Sequence, residues 1–233
     1  MSARTILQDR KEGDMKDRNL FEEHENQPPP AYVYQHDSTS EAMNASPVQA
    51  HPAQVPCRRF QLQYTNWKAK TVRVTDTDNG TEVYTADLRW QKPNMVIRTR
   101  SPIATDIEIA TVVFHCLKTD IDVGINGANL TLHHRGIFSA SYSYSSQIYP
   151  SQSFKWKGKN RWRTMDFECV HEDDGVTVAR FSAANWSRTR IGQIEMFGQQ
   201  LVDNKMFMDE LMVTGLAVVI QLMVWQTGAA AIS

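Results

Sequence analysis

From Phe60 onward the chain alternates apolar and polar positions in short runs separated by turn residues. A period of two sends successive side chains to opposite faces of an extended backbone, so each run predicts a strand with one buried face. The runs are FQLQYTN (60–66), TVRVTD (71–76), EVYTADLRW (82–90), NMVIRTR (94–100), IEIATVVFHC (107–116) and DIDVGI (120–125). They continue with NLTLHH (129–134), FSASYSYS (138–145), SFKWK (153–157), TMDFECV (164–170), VTVARFSA (176–183) and IGQIEMF (191–197). Asp78-Asn79-Gly80, Asn126-Gly127 and Asp174-Gly175 lie between runs and tolerate the positive φ of hairpin turns.

The pattern then changes. Asp209 to Trp225, DELMVTGLAVVIQLMVW, carries no charge after Glu210, and from Leu211 onward only Thr214, Gly215 and Gln221 are not clearly apolar. A helix of this composition is apolar on every side and must be enclosed by protein or by lipid. Twelve up-and-down strands call for closure, which removes exposed edges, and a closed sheet of that size is too wide for its own side chains to fill. The expected fold is therefore mainly β: a closed antiparallel barrel of about 12 strands around a central hydrophobic C-terminal helix at about 207–226. Asp209 and Glu210 are expected to favour the positive end of the helix dipole. The rival reading is a tail anchor, since Leu211 to Ile232 is 22 residues without charge and long enough to span. Against it stand Gln221 mid-span, interruptions at Gly215 and Gly228, and a far end without an aromatic or basic belt.

Composition changes the picture at the N-terminus. Residues 1–56 are rich in Pro, Gln, Ser, Glu and Asp with few large aliphatics, which predicts a disordered tail before a barrel domain at 57–233. The whole chain of 233 residues holds 25 basic and 26 acidic side chains; 5 and 9 precede Pro56, leaving 20 and 17 after it. A net charge near zero argues against a nucleic-acid partner, and any basic surface must be local. The stretch MSARTILQDRKEGDMKDR is charged throughout, without the apolar segment of a secretory signal, so the expectation is a cytoplasmic, not secreted, protein. Cys57, Cys116 and Cys169 are odd in number and widely spaced, which suggests neither a disulfide framework nor a zinc site. Within the tail, Pro28-Pro29-Pro30-Ala31-Tyr32 contains PPxY, with Pro29, Pro30 and Tyr32 as its specified residues. A stiff polyproline II segment followed by tyrosine is what a WW domain grips, and a ubiquitin ligase with such domains is a natural reader; a chance match in a Pro-rich linker is the plainer account.

The order of elements, twelve strands and then an apolar helix, resembles the tubby C-terminal-like fold of tubby proteins, phospholipid scramblases and plant LURP-one-related proteins. Lys92-Pro93-Asn94-Met95-Val96-Ile97, Ile109-Ala110-Thr111-Val112-Val113-Phe114-His115, Ser141-Tyr142-Ser143-Tyr144, Phe154-Lys155-Trp156-Lys157, Val178-Ala179-Arg180-Phe181 and Asp209-Glu210-Leu211-Met212-Val213-Thr214-Gly215-Leu216-Ala217 resemble a fungal branch of it over about 60–225. The resemblance implies an association with membranes, through phosphoinositide binding or lipid transport. No stretch matches a scramblase calcium-binding segment, so scramblase-like transport is only a distant alternative. Pro-rich tails are common in scramblases, which favours the PPxY reading.

The densest candidate for chemistry is Lys155-Trp156-Lys157-Gly158-Lys159-Asn160-Arg161-Trp162-Arg163, five cations and two tryptophans in nine residues with no acid among them. As a hairpin it would present Lys155, Lys157, Lys159, Arg161 and Arg163 to anionic headgroups, with indoles suited to the interface. The plainer account is a solvated hairpin whose tryptophans face the core. Arg188-Thr189-Arg190 is a weaker second group. Enzyme motifs are missing: no GxSxG, HExxH, P-loop or GxGxxG, and His115, His133, His134 and His171 share no metal-ligand spacing. Asp76-Thr77-Asp78-Asn79-Gly80 begins like a calcium loop but lacks its closing glutamate, and a hairpin turn explains it better. Asp120 and Asp122 share a strand face and read as a solvated edge; Cys116 and Cys169 read as core. The expectation is a non-enzymatic protein without cofactor or metal, cytoplasmic and peripheral at an anionic membrane, whose tail recruits a WW-domain partner.

Overall fold

A computed structural model describes residues 54–66, 68–100, 106–115, 119–135, 141–158, 165–184, 187 and 189–226, apart from the side chains of 200, 201 and 226. Residues 1–53 of the predicted tail, with Pro29, Pro30 and Tyr32, lie outside the described residues. Twelve strands form: β1 (Arg58–Tyr64), β2 (Thr71–Asp76), β3 (Glu82–Leu88), β4 (Met95–Thr99), β5 (Ile107–Phe114), β6 (Ile121–Ile125), β7 (Ala128–His134), β8 (Ser141–Ser145), β9 (Ser153–Gly158), β10 (Phe167–His171), β11 (Thr177–Ala183) and β12 (Arg190–Met196). Each pairs antiparallel with its neighbours in sequence, and β1 also pairs with β12, so the sheet closes into a barrel. Closure leaves no strand edge to aggregate.

The inward set follows from alternation. Phe60 and Leu62 of β1, Val72 and Val74 of β2, Tyr84 and Ala86 of β3, Phe154 and Trp156 of β9, and Ile194 and Met196 of β12 are all fully buried. Between them runs α2 (Lys205–Gln226), preceded by a short helix α1 (Gln199–Asp203) that the sequence pattern does not foretell. From Phe207 to Leu222 every α2 residue is buried. The helix passes the length and composition test for a membrane span over Lys205–Trp225, yet 89% of its most apolar window is buried inside the protein. Its few polar groups are partnered there: the Trp156 indole Nε1 donates to Thr214 Oγ1 at 3.1 Å, and Thr214 Oγ1 donates to the Glu210 carbonyl at 2.8 Å.

One expectation needs correcting. Asp209 and Glu210 do not sit in the first turn, which holds no acid because α2 starts at Lys205. Asp209 instead accepts the Tyr84 hydroxyl at 2.6 Å and Lys205 Nζ at 2.8 Å, and Glu210 Oε2 accepts the Gln147 amide at 2.8 Å. They tie the helix to the wall and to the β8–β9 loop. Burial, then the neighbouring Asp209, push the Tyr84 phenol far above its ordinary range, which keeps it a hydrogen-bond donor.

Strands that alternate in direction give the barrel two distinct ends. The β2–β3, β4–β5, β6–β7, β8–β9 and β10–β11 connections surround the start of α2, here called the entry end. The β1–β2, β3–β4, β5–β6, β7–β8, β9–β10 and β11–β12 connections surround the end of α2, the exit end. The helix direction is fixed by contacts at both: Arg58 Nη1 to Met208 Sδ at 3.2 Å near the entry, and Tyr64 to Met223 at 3.6 Å near the exit.

Candidate functional site

The β9 stretch shows what the wall does with a cationic sequence. Phe154 and Trp156 face inward and are fully buried, which leaves Lys155 and Lys157 on the outer surface. Lys157 Nζ pairs with Glu168 Oε1 on β10 at 3.2 Å, while Lys155 lies between Ser143 and Val170 in register and forms no ion pair among the described residues. Lys159, Arg161 and Arg163 lie outside the described residues, so the five cations are not seen gathered.

A different cationic group emerges from topology. Lys68, Lys70, Arg89, Lys92 and Arg135 occupy exit-end connections, and Arg190 opens β12 at the same end; all six are exposed. Leu88 N donates to the Lys70 carbonyl at 2.7 Å and Tyr64 N to the Thr189 carbonyl at 2.7 Å, which makes the β11–β12, β1–β2 and β3–β4 connections one continuous arc. The two described acids of these connections, Asp120 and Asp166, are occupied. Asp120 Oδ1 accepts the His134 amide at 2.8 Å, and Asp166 Oδ1 accepts the Ala183 amide at 3.0 Å. The entry end is net acidic, with Asp78, Asp106, Glu172, Asp173 and Asp174 in its connections and Asp203 in α1, while its exposed Arg100 and Lys205 pair with Glu82 and Asp209.

The Arg89–Asn94 loop is held rigidly. Arg89 N donates to the Asn94 carbonyl at 2.7 Å, and buried Asn94 accepts the Phe114 amide on its Oδ1 at 2.9 Å. Trp90 therefore projects from an anchored loop and is 65% exposed, an unusual state for the largest apolar side chain. Trp225, near the end of α2, is 45% exposed at the same end, beside His134.

Other polar groups have local explanations. Asp76 Oδ1 accepts the Asp78 amide at 2.9 Å, Gly80 has φ of 69°, and Arg58 pairs with Asp76 at 2.6 Å, so this segment is a hairpin turn. Asp122 is not an isolated solvated carboxylate: His115 Nε2 and Thr131 Oγ1 lie 2.7 and 3.0 Å from it, and these bonds hold it below the ordinary carboxylate range. His133 meets Asp120 at 3.2 Å on the outer face while His134 turns to Tyr142, as strand alternation requires. Among the described residues no three His, Cys, Asp or Glu side chains are placed to hold a metal. Cys169 is fully buried, as expected; Cys116 lies outside the described residues.

Two surface depressions stand out among the described residues. One of about 480 Å³ lies on the wall of β11, β12 and β1, lined by Gln61, Gln63, Ser182, Ser187, Thr189, Arg190 and Gln193 among others. Another of about 110 Å³ at the entry end is lined by Ile125, Ala128, Ile148, Met206 and Glu210. The exit-end arc was missed in the sequence because its cations are scattered over three connections and the start of β12; the signal was there, since alternate connections of an up-and-down barrel share an end. No protein-family profile, curated protein or solved structure matches the chain.

Proposed function

We propose that this chain is a tubby-like domain protein that binds the surface of anionic membranes peripherally, without catalysis, and recruits a WW-domain protein through Pro29, Pro30 and Tyr32 of its tail. The observation that carries the membrane reading is the separation of charge along the barrel axis. Exposed cations outnumber acids at the exit end, and acids outnumber cations at the entry end. Each Lys or Arg held near an anionic leaflet contributes about 1 kcal/mol, so six give a useful but reversible affinity. The closed barrel around a C-terminal helix supports the tubby-like assignment. Enclosure of α2 favours a plug over a tail anchor, because extracting the helix would empty the barrel and expose its apolar lining.

Flotation with phosphatidylcholine vesicles, with and without phosphatidylserine or phosphoinositide, tests it. Wild type is expected to float only with anionic lipid and to be released by salt. Failure to float at low salt removes the membrane reading. For the tail, capture by an isolated WW domain should vanish with Tyr32→Ala, and capture that persists discards the motif.

A further inference from the structure

From the exit-end geometry we infer how the protein sits on that membrane: end-on, with the barrel axis along the bilayer normal and Trp90 and Trp225 in the headgroup layer. The inference rests on the membrane reading and adds its face and its depth. Both ends of the barrel expose apolar side chains, so apolarity alone does not choose between them. The entry end shows Val55, Ile107, Val176 and Met206, aliphatic groups among acids that an anionic leaflet repels. The exit end shows two indoles among cations, and indoles are the side chains that favour the membrane–water boundary. Charge complementarity therefore selects the exit end and an anionic bilayer as its occupant.

The wall is a poorer face. Lys157 is neutralised by Glu168, Arg59 by Glu195 and Arg73 by Glu82. Lys70, Arg89, Lys92 and Arg190 form no ion pair among the described residues, so their charges stay directed outward. End-on docking also leaves the chain's entry point free, because Cys57 joins the barrel at the opposite end, bonded through its amide to the Met196 carbonyl at 2.8 Å.

The test uses the full chain and phosphatidylcholine vesicles containing phosphatidylserine. Trp90→Ser is expected to weaken binding about tenfold, by the same factor at each salt concentration below that which releases wild type, because the indole contribution is not screened. Lys70→Gln with Lys92→Gln should weaken it at low salt only. Met206→Ser at the entry end and removal of the Lys155 and Lys157 charges should change little. Because Trp90 is exposed, its variant should melt as wild type does, and the melt is recorded alongside. Unchanged binding by Trp90→Ser, with loss on removing Lys155 and Lys157, overturns end-on docking and leaves the membrane reading standing. Wild type that never floats removes both. Salt-sensitive self-association in sedimentation, lost on altering either Lys92 or Asp173 and without flotation, makes a second copy the occupant and overturns the inference.

Discussion

Gly215 offers the sharpest test of the plugged barrel, because two effects of known size oppose each other there. In an exposed helix Gly→Ala stabilises by about 1 kcal/mol through lost chain entropy in the unfolded state. In α2 a Cβ at 215 would stand 2.9 and 3.0 Å from Cζ2 and Cη2 of Trp156, and 3.5 Å from Ile194 Cδ1. Carbon atoms pack best at about 3.5–4.0 Å, so the methyl overlaps the indole by roughly half an ångström. The ring has little room to retreat, being fully buried and bonded through Nε1 to Thr214 one residue away. Overpacking of this kind costs about 1–3 kcal/mol, which exceeds the helix gain at most of its range. Gly215→Ala should therefore destabilise by about 1 kcal/mol and lower Tm by about 2–4 °C for a domain of this size. Gly215→Val, with more bulk at the same point, should cost several times that. The cycle with Trp156→Phe isolates the cause: once the benzo ring is gone, Gly215→Ala should turn neutral or stabilising. Thermal melts of the four proteins decide it. A rise in Tm for Gly215→Ala in the wild-type background would refute the contact and with it the placement of α2 inside the wall.

The interior makes two further predictions. Burial raises the Glu210 carboxyl above its ordinary 4.5, so the folded state holds that proton more tightly than the unfolded one, and this contribution to stability is lost as pH rises from 4.5 to the raised value. Glu210→Gln keeps an acceptor for the Gln147 amide and removes the titration. Its urea midpoint relative to wild type should climb as pH increases through that window, and a difference independent of pH would show the carboxyl to be solvated. Burial also pushes the Cys169 thiol far above its ordinary range, so it should resist a thiol reagent in the folded protein and react only on unfolding. Mass mapping with the half-buried Cys57 as reference reads this directly, and labelling of Cys169 under native conditions would contradict it.

The strands were legible because period-two alternation is local, and turns such as Asn126-Gly127, with φ of 48° and 82°, state their conformation in two residues. The enclosed helix was legible because its apolarity is uniform. The helix begins at Lys205, two residues before the expected start, because the charged Lys205 interrupts the apolar run ahead of Phe207. The roles of Asp209 and Glu210 were misjudged for a deeper reason: Tyr84 lies 125 residues from its partner Asp209, and nothing local announces that bond. Lys155 to Arg163 drew notice because its cations are contiguous, although Lys157 proves to be spent on Glu168. Lys70, Arg89, Lys92 and Arg190 are far apart in the chain, and only the alternation of strand direction brings them to one rim.

Fold stability does not account for that rim. Partly exposed ion pairs such as Arg73–Glu82 at 2.7 Å contribute about 1 kcal/mol or less each, so the barrel gains little from pairing its wall cations and loses little by leaving others unpaired. What pairing does change is the field outside the protein. A cation beside its counter-ion presents a dipole that fades within a few ångströms, whereas an unpaired one acts over a Debye length of about 8–10 Å. A wall mostly paired and a rim mostly unpaired therefore concentrate positive potential at the exit end, at almost no cost or benefit to folding. Selection for stability is indifferent to such an arrangement. On the proposed reading its cause lies in what approaches that end from outside, and two exposed indoles among the cations fit a surface that is anionic and partly apolar together.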